Sequence, residues 1–116
     1  MYSVQLKDAK VLDLKGRRVN LFIDANGVVS DNMSVGLTEV PANTAMDPHT
    51  HEDKEEIIFV IEGSGTSIVG GSKEEMKPYT AVLFPIGVEH QVINDTNEPL
   101  KFVFMFNPKN DFKGAK

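Results

Sequence analysis

Residues 56–69 read Glu-Ile-Ile-Phe-Val-Ile-Glu-Gly-Ser-Gly-Thr-Ser-Ile-Val. Five apolar residues in a row, Ile57 to Ile61, end at a Glu-Gly-Ser-Gly cluster, and a second segment rich in Thr, Ile and Val follows. Apolar and β-branched runs of this length, bounded by glycine turns, are the signature of strands joined by a hairpin. The same punctuation continues outward in both directions. Segments 11–14, 18–23, 33–40, 56–61, 66–69, 81–84, 90–93 and 100–106 read as strands. Between them lie turn clusters such as Asp24-Ala25-Asn26-Gly27, Gly70-Gly71 and Asn94-Asp95-Thr96-Asn97. No breaker-free stretch of helical periodicity is present. Many short strands at even spacing predict an all-β sandwich or barrel.

The segments Ile57 to Ile61 and Phe102 to Phe106 are apolar at both parities. Successive strand side chains point to opposite faces, so both faces of these strands call for burial. One parity fills a barrel interior: with Glu56 inward, Ile58 and Val60 follow, and with His90 inward, so does Val92. For the last strand the interior set is either Phe102, Phe104 and Phe106 or Val103 and Met105. Met33, Met46 and Met76 are expected to fill gaps in the core. The outer parity predicts either a homodimer or an N-terminal arm, Val4 to Leu14, folded over the outer face.

The chain has 116 residues, suited to a single domain over 1–116. It contains no cysteine, so no disulfide is available, in keeping with a cytoplasmic protein. No apolar run exceeds five residues, and the first ten residues do not read as a signal peptide, so no membrane association is expected. With 17 acidic against 12 basic residues and a net charge of −5, the composition argues against nucleic acid, whose recognition rests on a basic face. Arg17 and Arg18 are the only arginines. No buried arginine is expected to grip a phosphate, and a small, partly apolar ligand is expected in preference to a nucleotide.

Two of the three histidines form His49-Thr50-His51. On an extended strand, residues i and i+2 face one side, so the two imidazoles point together. His90 sits on a distant strand, and glutamates follow closely behind His51. Neutral imidazoles with a carboxylate suit a first-row divalent metal. An isolated His-x-His is more often a chance pair; the spacing around it changes that.

The spacing resembles the two motifs of the cupin family. His49-Thr50-His51 is followed by four residues, Glu56, six residues and Gly63; Pro85-Ile86-Gly87 is followed by two residues, His90, three residues and Asn94. The resemblance implies a double-stranded β-helix, or jelly-roll, barrel, commonly dimeric, with metal on His49, His51, Glu56 and His90. It leaves iron, manganese, nickel, zinc and copper equally open. Asn43 and Pro78-Tyr79 stand where the family motifs begin with glycine. Asparagine tolerates positive φ, whereas tyrosine is poorly suited to it, so the turn before Ala81 is expected to take another form. Strict alternation from His51 favours Glu55 as the carboxylate ligand. The polar Glu52-Asp53-Lys54 loop resets the register, and the spacing to Gly63 selects Glu56. Asp47, Glu52 and Asp53 read as solvated rim.

On a six-coordinate ion, four protein ligands leave two positions for water, substrate or dioxygen. The site thus suggests a metal-dependent enzyme acting on a keto acid, diketone or sugar acid, and the family resemblance implies a dioxygenase, isomerase, decarboxylase or lyase. The alternative is a non-catalytic ligand-binding or sensing module with a structural metal. Glu39, Tyr79, Glu89 and Gln91 are the candidates for a further acid or base.

Overall fold

The computed structural model describes residues 1–110 and residue 112. A short 3-10 turn, Leu6–Asp8, precedes ten strands: β1 (Lys10–Leu14), β2 (Arg17–Ile23), β3 (Ser34–Val40), β4 (Thr44–Ala45), β5 (Glu55–Glu62), β6 (Gly65–Val69), β7 (Ser72–Met76), β8 (Ala81–Phe84), β9 (His90–Asn94) and β10 (Leu100–Asn107). They form two antiparallel sheets with strand orders β1-β2-β3-β10-β5-β8 and β4-β9-β6-β7. The inward faces share one core, in which Ile58, Val60, Met76, Val92, Leu100, Phe102 and Phe104 are all nearly inaccessible. Burying large apolar side chains of this kind stabilises the fold by roughly 1.5–3 kcal/mol each.

All eight expected strands are present. β4 and β7 are additions. β7 carries Ser72-Lys73-Glu74-Glu75, which has no apolar alternation because four of its five residues are exposed at the sheet edge. Gly70 and Gly71, both at positive φ, make the tight turn that pairs β7 with β6. The parity of β10 is settled: Phe102, Phe104 and Phe106 are buried, while Val103 and Met105 face outward and are only partly covered.

Three expectations need correction. Met33 is 40% exposed and fills no gap, unlike Met46 and Met76. The N-terminal segment does not cover the outer face of β5 and β10; β1 instead extends the large sheet at its far edge, beside β2. The turn before Ala81 keeps its left-handed residue, with Tyr79 at φ 69°. Two backbone hydrogen bonds to β5 hold it there, Tyr79 N–H to the Val60 carbonyl at 2.7 Å and Val60 N–H to the Thr80 carbonyl at 2.9 Å. The Tyr79 ring rests 6.1 Å from that of Phe59. Asn43 is likewise left-handed, at φ 53°.

Candidate metal centre

The loop after β4 runs alongside β9, so that His49 and His90 exchange both backbone hydrogen bonds, at 3.0 and 2.9 Å. Residues paired this way present their side chains on the same face. The His49 and His90 rings accordingly meet at 4.2 Å between centroids. His51 follows two residues on. Its carbonyl accepts the Gly87 N–H at 2.9 Å, which ties the Pro85-Ile86-Gly87 turn to the His-x-His segment. Glu56, opposite Phe84 on β8 and Phe106 on β10, points inward from β5 and is 7% exposed. One candidate ligand atom from each of His49, His51, Glu56 and His90 lies within 4.8 Å of the others. Ligands bound at about 2.1 Å on opposite sides of one ion stand roughly 4.2 Å apart, so this spread suits a single metal with slight closure.

The hydrogen bonds of the rings test the fit. His49 Nδ1 lies 3.0 Å from the Asp47 carbonyl, and His90 Nδ1 lies 3.4 Å from the Val88 carbonyl. A carbonyl only accepts, so each Nδ1 carries the proton and each Nε2 keeps its lone pair. Those two Nε2 atoms face each other at 3.0 Å. Two lone pairs repel at that distance unless a proton or a cation lies between them. Burial lowers the His49 pKa, and His90 and His51 add to this against the Asp47 carbonyl and Glu56, which disfavours the proton. His51 Nε2 is buried without a hydrogen-bond partner. An orphaned buried nitrogen aimed into a cluster is the counterpart of a missing cation. The Glu56 carboxylate stands 3.6 Å from both His51 Nε2 and His90 Nε2. Burial alone would raise its pKa; the facing imidazoles outweigh burial and hold it below the usual carboxylate value. The donor set, three imidazoles and one carboxylate, suits a first-row divalent metal.

Aromatic rings wall the cluster. Phe84 stacks on His90 at 4.1 Å and 7°, and Phe106 meets His51 edge-on at 5.0 Å. The cavity over the cluster has a volume of about 80 Å³. A single water needs roughly 10–15 Å³ on this measure, so the space suits a ligand of a few heavy atoms. Phe112 also lines it; the ring packs on Phe104 at 5.5 Å, and its carbonyl accepts the Asn26 side-chain amide at 2.7 Å.

No arginine among the described residues is fully buried, but Arg17 reaches the cavity. It opens β2 with the inward parity of Val19 and Leu21, is half-buried and lines the cavity. Burial lowers its pKa, against the pull of Glu56 and then Asp47. Apart from the His/Glu cluster, it is the only charged residue among the described residues of the cavity wall. The alternation Arg17-x-Val19-x-Leu21 is the signal that could have identified it. None of Glu39, Tyr79, Glu89 and Gln91 reaches the cavity. Glu39 accepts a hydrogen bond from Asn20 at 2.9 Å, and Gln91 donates to the Met46 carbonyl at 3.0 Å. Tyr79 and Glu89 are exposed.

Residues 36–106, more than half of the chain, match the family model described as Cupin domain. An uncharacterized protein from Methanocaldococcus jannaschii is 28% identical over 75 residues, 65% of this chain; the match spans only 58% of that relative's length. The polyketide cyclase RemF from Streptomyces resistomycificus superposes with a TM-score of 0.79 at 26% identity, over 92% of this chain and 79% of its own. Ectoine synthase from P. lautus superposes at 0.82 with 19% identity, over 96% of this chain and 80% of its own. With the jelly-roll sheets, the family match and these folds in agreement, the chain belongs to the cupin family.

Proposed function

We propose that the chain is a metal-dependent enzyme that acts on a small oxygenated substrate, with His49, His51, Glu56 and His90 holding one divalent transition metal. The observation that carries this reading is the opposed pair of Nε2 lone pairs on His49 and His90, with the orphaned Nε2 of His51 beside them. When bound, such an ion supplies Lewis acidity, polarising a carbonyl or carboxylate oxygen and stabilising negative charge that develops on it. The chain's own residues do the rest. The Asp47 and Val88 carbonyls fix the His49 and His90 tautomers. Phe84, Phe106 and Phe112 exclude water and lower the local dielectric, which strengthens every charge interaction inside. The cavity takes a few heavy atoms beside the ion, which suits a small keto acid or diketone, or the oxygen-bearing end of a sugar acid. Two similar folds are named as enzymes of small-molecule chemistry, a polyketide cyclase and a synthase.

The proposal extends to a single domain acting as a cytoplasmic homodimer. No helix among the described residues is long and apolar enough to cross a membrane, and the outer face of the large sheet carries exposed apolar residues. A screen of small keto acids, diketones and sugar acids tests the enzymatic reading, with chelated and metal-reloaded protein, in air and under nitrogen. Turnover restored by reloading supports it. Ligand binding without turnover under every condition favours a sensing or binding module.

A further inference from the structure

The cavity holds a cation that the metal cluster does not use. Arg17 is delivered to it by the β1–β2 hairpin, whose tip at Gly16 (φ 78°) packs against the backbone of Ala45 and Met46. The hairpin therefore buttresses the segment that leads to His49, and Arg17 enters the cavity from the large sheet that also carries Glu56, whereas His90 enters it from the small sheet. The cations next to it in sequence are both partnered: Lys15 pairs with Asp47 at 3.3 Å and Arg18 with Asp13 at 2.9 Å. Among the described residues, the Arg17 guanidinium stands in no ion pair. Glu56, the other charge in the cavity, belongs to the histidine cluster. A half-buried guanidinium with no ion-pair partner among the described residues forgoes the strong, forked hydrogen bonds that an anion can supply.

We propose that Arg17 is the anchor for a carboxylate, and that the substrate is a small carboxylic acid whose other oxygen lies at the His/Glu cluster. This rests on the metal reading of that cluster and narrows its substrate class from oxygenated molecules in general to acids. The chemistry of the wall favours a carboxylate over a phosphate. A phosphoryl group calls for several donors or a second cation, whereas the cavity offers one guanidinium with Thr38 and Asn110 as its neutral polar residues. The planar fork of arginine matches the two oxygens of a carboxylate. The aromatic and aliphatic remainder of the wall suits the short carbon skeleton of such an acid.

The test compares pyruvate with its neutral methyl ester on protein reloaded with Co²⁺, in the unsubstituted chain and in Arg17→Gln and Arg17→Lys. Metal affinity is measured first by calorimetry; binding of each probe is then read from the visible spectrum of the cobalt. In the unsubstituted protein, pyruvate binds. Arg17→Gln weakens pyruvate by at least about tenfold and leaves methyl pyruvate unchanged, as expected for loss of a charge-assisted hydrogen bond. Arg17→Lys, which keeps the charge and loses the fork, falls between the two. If Arg17→Gln does not fold, Arg17→Lys decides alone: a loss confined to pyruvate supports the anchor. Equal weakening of both probes, or no change in either, overturns it, as does inorganic phosphate displacing pyruvate at equal concentration. Failure of Co²⁺ to bind the unsubstituted protein overturns the metal reading itself, and the proposal with it, before any probe is added.

Discussion

At His49 and His90, the position of a proton on each ring decides the chemistry. The carbonyls of Asp47 and Val88 claim the Nδ1 protons, which leaves the Nε2 lone pairs turned on each other. The burial that lowers the His49 pKa and the imidazoles that lower the Glu56 pKa keep both residues deprotonated, and hence ready to bind metal, in acid where free side chains are not. The sign follows. The unfolded chain takes up protons near pH ~6.5 on His49 and near ~4.3 on Glu56, before the folded, metal-loaded chain does. Stability is therefore full above about pH 6.5 and falls as the pH drops through these values, with release of the metal and uptake of protons. Melting temperature and metal content followed from pH 8 down to about 4 should decline together; occupancy that stays constant over that range rules out histidine ligation. Glu56→Gln should weaken metal binding by at least about tenfold, the scale on which even supporting residues act, while Glu55→Gln changes it little. The reverse ranking in a metal titration would move the ligand to Glu55. Much of this site was legible in the sequence, because ligand spacing is written along the chain. Arg17 was not: a charged residue at the end of a strand looks like surface, and only its parity with Val19 and Leu21 tells otherwise.

Among the elements, strands with an apolar face could be read from the chain, and strands without one could not. β5 and β10 announce themselves by continuous apolar runs, whereas the two-residue β4 and the charged β7 gain their order from pairing with β9 and β6. Tyr79 shows the limit of local preference, since two cross-strand hydrogen bonds hold a left-handed conformation that the residue type disfavours. Gly36 on β3 gives a direct test of how closely the sheet is packed below the cavity. A Cβ there would collide with the Phe104 ring and come within 2.6 Å of the Asn20 carbonyl oxygen. Backbone on one side and a core ring on the other leave little room to yield. Gly36→Ala should therefore cost about 1–3 kcal/mol in chemical denaturation, the usual scale of overpacking. A variant as stable as the parent would show that β3 and β10 can part without loss.

For the whole molecule, the outer face of the large sheet is the feature that a lone chain does not resolve. The cross-strand register aligns Val35, Met105, Ile57 and Leu83 in one row and Leu37, Val103 and Phe59 in the next. Ile57 and Leu83 remain 40% and 49% exposed. The double apolar parity of β5 and β10 was plain in the sequence; what covers it was not, because that depends on where β1 lies, and β1 joins the sheet edge. A two-fold partner would bury the same rows on both chains. Light scattering at micromolar concentration should give twice the chain mass of 12.8 kDa, and Ile57→Asp with Leu83→Asp should return it to a single chain. A mass of 12.8 kDa for the parent, independent of concentration, would exclude the dimer.

Elemental analysis of the protein purified without a metal-affinity tag reads out whether the three histidines and Glu56 hold a metal ion. About one equivalent of a first-row divalent metal per chain is expected, abolished in a His49→Ala/His90→Ala variant that remains folded. Protein that is folded yet carries no transition metal and takes none up on titration, or a double variant that keeps the parent's content, would contradict it.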